Sequence, residues 1–239
     1  EPLYKQRQRR RMAFVTVVIV VLALLLAGLT GTLSASIALL ADSVDSAKLY
    51  LNRSGGGWPV NTGISDPLQV EELSGGFVEL GSSDAVVYSP YGVKSFAMQP
   101  GYARPVLAVG GTHFAVYNRA GNELTVASRT AKLYTQTFDD SILLCAMSNN
   151  NSLAVVTEFS RYTALLRVYD ASMHQTYSWK TTQTQGTPIA VDFSPDNRRF
   201  AVGTLAARQG QLQCGIYFMD TASEEEGVAY KASQGSMLL

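Results

Sequence analysis

The chain is short of the residues that carry most enzyme chemistry. Its 239 residues include only two histidines, two cysteines and two tryptophans, and charged residues make up 16%. Neither histidine has a ligand partner at metal spacing: His113 sits in a strand-like run beside Phe114, and His174 in a polar stretch beside Gln175. Both read as structural or solvent-facing. There is no glycine-rich phosphate loop running into Lys and Ser/Thr, no GxSxG nucleophile elbow and no HExxH. The expectation is a non-catalytic protein with no cofactor and no bound metal. A charge excess is missing too, since Lys plus Arg and Asp plus Glu both number 19. A nucleic-acid partner is therefore not expected.

The charge is unevenly placed. Lys5, Arg7, Arg9, Arg10 and Arg11 crowd the first 11 residues against Glu1 alone. Immediately after them, Met12 to Leu40 contains no Asp, Glu, Lys, Arg or His over 29 residues. About 20 apolar residues suffice to cross a bilayer as a helix, and backbone in lipid must bond within its own segment. Residues 12–35 are predicted to span, with the basic tail, 1–11, on the cytoplasmic side. That tail also suits anionic lipid headgroups. A cleaved signal peptide would have a shorter apolar core, and Ser34-Ala35-Ser36 is a weak cleavage site. Residues 36–57 read as a stalk helix and linker: Ile37, Leu40, Ala41, Val44 and Leu51 keep helical spacing, and Ser54-Gly55-Gly56-Gly57 ends it. The rest, 58–236, is expected to be extracytoplasmic. Because the chain opens on Glu1 and stops after GSMLL, a piece of a longer reading frame is expected.

Beyond Trp58 the pattern changes to short runs rich in Val, Leu, Phe, Tyr and Thr, separated by Gly, Ser, Asn and Asp. Turns recur in phase. VDFSPDNRRFAVGT (191–204) bends at Pro195-Asp196-Asn197, CAMSNNNSLAVVT (145–157) at Ser148, LAVGGTHFAVYN (107–118) at Gly110-Gly111 and VEELSGGFVEL (70–80) at Gly75-Gly76. A second hairpin follows each, opened by Ser89, Ser128, Asp170 and Asp220. Four units of four strands result, at about 66–100, 105–139, 140–182 and 187–233. Units of roughly 40 residues read as propeller blades or a related stacked β array. Ile142-Leu143-Leu144, Ala164-Leu165-Leu166 and Ile189-Ala190-Val191 are apolar on both faces, as strands packed on both sides must be. The fold expected is an all-β, propeller-like repeat of four blades within a larger ring, preceded by the membrane helix.

FSPDNRRFAVGT resembles the strand–turn–strand signature of WD40-like repeats, and RVYDASMHQTYSW resembles the quinoprotein-like repeat with its Asp turn and Trp-bearing strand. With the basic tail, the anchor and Trp58-Pro59-Val60, residues 5–233 resemble an uncharacterised family of bacterial single-pass membrane proteins with propeller-like outer domains. Only one unit carries the Trp, a departure from the quinoprotein pattern.

Asp170 and Asp220 fit hairpin openers better than cation ligands. Glu224-Glu225-Glu226 reads as a solvated loop tip. Cys145 and Cys214 fall on a first strand and on a third strand of the next unit, too far apart for a bridge, so both are expected as small buried side chains. Among many tyrosines, Tyr91, Tyr102 and Tyr162 lie near loops and are the candidates for a binding surface. The function expected is a binding or scaffold module at the cell envelope, its partner an envelope protein or a wall polymer. A sensor ectodomain acting through a membrane partner is the first alternative. A quinoprotein-like oxidoreductase is the second, and it would need a complete ring with a central calcium site.

Overall fold

The computed structural model describes residues 57–64, 66–208, 210–221 and 229–231. The basic tail, the spanning run, all but the last residue of the linker, and Glu224–Glu226 lie outside the described residues. Among the described residues no helix is long and apolar enough to cross a membrane, and every regular element is a strand.

Sixteen strands form four antiparallel sheets of four, each a simple meander. The first holds β1 (Gln69–Leu73), β2 (Gly76–Leu80), β3 (Ala85–Tyr88) and β4 (Lys94–Met98). The second holds β5 (Pro105–Val109), β6 (His113–Asn118), β7 (Glu123–Ser128) and β8 (Lys132–Thr137). The third holds β9 (Ile142–Met147), β10 (Leu153–Glu158), β11 (Ala164–Tyr169) and β12 (Gln175–Thr181). The fourth holds β13 (Thr187–Phe193), β14 (Arg199–Arg208), β15 (Gln211–Asp220) and β16 (Ala229–Lys231).

The repeat extends to irregularities. In the first three sheets the ladder between the third and fourth strands slips at one place, beside Tyr88, Ala127 and Tyr169. In two of them a hydroxyl fills the gap: Ser95 Oγ donates to the Val87 carbonyl (3.3 Å) and Thr176 Oγ1 to the Val168 carbonyl (3.2 Å). Such bulges add twist to a strand pair.

The sheets stack face to face, and alternate side chains of one strand serve two interfaces. In β6, Phe114 and Val116 join Leu73, Val78 and Leu107 between the first and second sheets. Ala115 and Tyr117 point the other way, to Leu124, Ile142 and Val155. In β10, Leu153 and Val155 serve that second interface, while Ala154 and Val156 meet Trp179, Phe200 and Tyr217 of the third. Burial on both faces explains the uninterrupted apolar runs. The first strands lie side by side in the order β1, β5, β9, β13, and no comparable contact joins β13 to β1 among the described residues. The described sheets form an open arc.

The open ends correct one expectation. Ile189 is 43% exposed and Ala190 is exposed too, because among the described residues the fourth sheet has a stacked neighbour on one side only, and the β13–β14 ladder slips at Ile189 so that both residues can face outward. Tyr217 and Met219 pack toward the third sheet, so Leu212 and Phe218, of opposite parity on β15, face away and are exposed. At the first sheet a strap from Trp58 to Ile64 partly covers the free face. The Trp58 ring lies 5.3 Å from Phe77 and 6.1 Å from Tyr88. Tyr88 donates to the Thr62 carbonyl, and Thr62 Oγ1 donates to Glu79, a buried carboxylate.

Candidate functional site

A four-strand meander sends its first and third turns to one end and its middle turn to the other. The four sheets therefore present two ends with different chemistry.

At the first end, side chains close the turns that the sequence nominates. Ser89 Oγ accepts from the Tyr91 and Val93 amides, Ser128 Oγ from Thr130 and Ala131, and Asp170 Oδ1 from Ser172 and His174. Both Asp170 bonds are 2.9 Å, and its second oxygen lies 3.4 Å from His174 Nδ1 on an exposed surface. Turn closure thus accounts for Asp170 Oδ1, in keeping with a hairpin opener. Ser148 and Ser194 do the same for the Ser152 and Arg199 amides.

The same end is laced from sheet to sheet. The Ser74 amide donates to the Gly111 carbonyl (2.8 Å), and the Arg129 guanidinium to the Ser74 carbonyl (2.6 Å). Asn151 Oδ1 accepts from Thr112 (3.0 Å) and His113 (3.1 Å), and Asn197 Oδ1 accepts from the Asn150 amide (3.2 Å). Asn151 and Asn197 hold φ of 67° and 58°, the left-handed region that Asn tolerates. This end is a structural lattice.

Two carboxylates, exposed Asp196 there and half-buried Asp84 at the far end, are tuned. The Asp196 carboxyl is held below its ordinary value first by the Ser194 hydroxyl, then by the Arg198 amide. Asp84 is lowered by the Gln99 side chain, then by Ser83. A folded-state value below the unfolded one means a stabilising contribution present above about pH 3.9 and lost as pH falls through the lower folded value. Carboxyl carbon NMR titration is expected to place both midpoints below an ordinary Asp. Ser194→Ala should move Asp196 up and leave Asp84 where it was; an unmoved Asp196 refutes the assignment.

The second end carries an exposed aromatic pair beside a cavity. The turn between β10 and β11 closes from the Tyr162 amide to the Phe159 carbonyl (3.0 Å). First and fourth positions of a turn sit side by side, so Phe159 and Tyr162 stack, centroids 5.6 Å apart and planes 20° apart. Lys180 Nζ lies 5.7 Å from both centroids, a cation over two ring faces. Beside this shelf is an open cavity of about 460 Å³ lined by Ser160, Arg161, Tyr162, Thr163, Thr182 and Gln183. Its floor is firm: the Thr163 amide donates to the Thr181 carbonyl, and Thr182 is tied to Gln185 by its amide and its hydroxyl.

The three candidate tyrosines are not brought together. Tyr162, 43% exposed, belongs to the shelf. Tyr91, 42% exposed, lies in the β3–β4 turn at the opposite end. Tyr102 is buried; its ring joins the interface between the first two sheets and its hydroxyl pairs with Thr125 Oγ1 at 2.9 Å. It offers no surface. Sequence reasoning missed Phe159, Arg161, Lys180, Thr182 and Gln183. The available signal was the pair of aromatics three apart in FSRY.

Both cysteines are free thiols, Cys145 on β9 and Cys214 buried on β15. Burial pushes the Cys145 thiol well above its ordinary range, and burial likewise lifts the Tyr117 phenol to about 12. Neither ionises near neutrality. Among the described residues no three His, Cys, Asp or Glu side chains converge as metal ligands.

A family model, DUF5711, described as a family of unknown function, matches residues 58–231. The chain belongs to this family. No curated protein matches it. Among solved structures, the DUF5711 arc is similar to Kuenenia stuttgartiensis hydrazine synthase, at 16% identity and a TM-score of 0.53, over 75% of this chain and 53% of that one. A fainter likeness is to Kluyveromyces lactis Hsv2, at 11% identity and a TM-score of 0.45, over 69% and 51%. The chain spans about half the length of these solved chains. The first likeness concerns the fold alone: the DUF5711 domain is all-β and propeller-like.

Proposed function

We propose that this DUF5711 chain is a membrane-tethered, non-catalytic binding module, displayed outside the cell, that holds a component of the cell envelope on the shelf formed by Tyr162, Phe159 and Lys180. The 29-residue uncharged run after the basic tail supports the tether and its orientation. The observation that carries the binding role is the shelf itself: an exposed aromatic and two cations beside an open cavity. A rigid repeat array is a natural frame for such a surface, and function on such a frame belongs to the site rather than the fold.

The test uses the full chain, tagged and reconstituted in nanodiscs, mixed with solubilised envelope fractions. One envelope component should be enriched, and the double substitution Arg161→Gln with Tyr162→Ala should abolish that enrichment with unchanged thermal unfolding. Equal recovery by both proteins, or no enrichment by either, refutes the proposal.

A further inference from the structure

We infer that the cavity beside Tyr162 is a subsite for an acidic glycan, a sugar chain bearing carboxylate or phosphate groups; this rests on the reading that the shelf binds an envelope component. The size is suitable, since a volume of about 460 Å³ falls within the range of about 300–1,000 Å³ typical of small-ligand sites.

The lining selects the class. Ser160 and Gln183 supply a hydroxyl and an amide, groups that both donate and accept, while the Thr182 hydroxyl is held by Gln185 and that of Thr163 is buried. A polar rim of this kind suits the hydroxyls of a sugar, and an apolar ligand would leave Ser160 and Gln183 unpaired at a cost. Tyr162 supplies the one aromatic wall. A flat π-face is the surface on which the C–H side of a pyranose ring lies. Its partner face is backed by Phe159, so the ring is held in place before a ligand arrives and little ordering cost remains.

Charge decides between neutral and acidic sugars. Arg161 lines the cavity and Lys180 sits 5.7 Å from the centroid of the Tyr162 ring, while no carboxylate is among the lining residues. Glu158, exposed at the end of β10, stands just outside the turn. The guanidinium fork matches a carboxylate or a phosphate with two parallel bonds. An exposed cation so placed also gives binding that weakens with salt.

Three probes of equal length separate the cases: an oligogalacturonate, a glycerol-phosphate oligomer and a neutral cello-oligosaccharide. Each is titrated calorimetrically into the full chain in nanodiscs at low and high salt. At least one acidic probe should bind and the neutral one should bind about tenfold more weakly or not at all. Whichever acidic probe binds identifies the substituent as carboxylate or phosphate. Arg161→Gln should remove the preference for the acidic probe and its salt dependence. Tyr162→Ala should weaken the acidic probe about tenfold, the scale of a lost stacking platform, while Tyr162→Phe keeps it. Equal binding of neutral and acidic probes, no binding of any probe, or indifference to both substitutions overturns the inference. If envelope enrichment depends on Tyr162 and Arg161 but the captured component is a protein, the glycan assignment fails and the binding module stands. If nothing is enriched, both fall.

Discussion

Replacing Trp179 with alanine is expected to destabilise the domain by about 3–5 kcal/mol, the range for deleting a large buried aromatic. Trp179 is only 5% exposed, and its ring lies 5.0 Å from that of Tyr217 on the next sheet. It shares the interface between the third and fourth sheets with Phe200, Val202 and Met219. That interface is the fourth sheet's one stacked neighbour among the described residues, so a cavity there removes attraction that no second face replaces. In a stacked array each unit is held by its own folding and by its neighbour contacts. Loss should therefore appear first as local opening: amides of β14 and β15 should lose hydrogen-exchange protection before those of β6 and β7. Urea unfolding supplies the magnitude. The chain's other tryptophan is the control. Trp58 is 47% exposed and rests on Phe77 and Tyr88, so Trp58→Ala should cost clearly less. A Trp179→Ala loss below about 1 kcal/mol, or uniform loss of protection, would overturn the account.

The turns were legible in the sequence because their chemistry is local. Ser89, Ser128 and Asp170 each accept amides within four residues of themselves, and Pro195-Asp196-Asn197 bends where its dihedral preferences require. Four antiparallel sheets of four follow from those turns and the apolar runs between them. What stayed hidden depends on distant chain. Tyr102 stands in GYARP, a loop-like setting, yet Thr125, 23 residues on, takes its hydroxyl into the core. Ile189-Ala190-Val191 reads as doubly buried because an apolar triplet records its own polarity and not the number of neighbouring sheets. Six large apolar residues are exposed at the two ends of the described arc, Trp58 of the strap, Leu68 just before β1 and Val70 on β1 at one, and Ile189, Leu212 and Phe218 on the fourth sheet at the other. The shelf is nonlocal in a different way. Phe159 and Tyr162 meet through one turn, but Lys180 reaches them only because it pairs with Leu165 across the β11–β12 ladder. Residue spacing alone does not give that register.

Gly111→Ala should be nearly as damaging, at about 3 kcal/mol, and for a reason unrelated to backbone flexibility. A Cβ on Gly111 would stand 2.2 Å from the Asn149 carbonyl oxygen and 3.2 Å from its carbon. The obstacle is main chain, which cannot swing aside as a side chain would. The two turns are also pinned together, with Asn151 accepting from the Thr112 and His113 amides, while on its other side Gly111 accepts from the Ser74 amide of the first sheet. Alanine must part the second and third sheets at this end. Overpacking of that kind costs about 1–3 kcal/mol, and each lost hydrogen bond adds about 1 kcal/mol. Gly101→Ala separates sterics from conformation. Gly101 has φ of 71° with nothing near its would-be Cβ, so it should cost about 1–2 kcal/mol through backbone preference alone. Asn151→Ala then tests the pinning. With that side chain gone the third-sheet turn can retreat, so Gly111→Ala should cost about 1 kcal/mol less in the Asn151→Ala background than in the parent. Additive losses, or a Gly111→Ala no worse than Gly101→Ala, would mean that the sheets are held at this end by something other than the contact between these two turns.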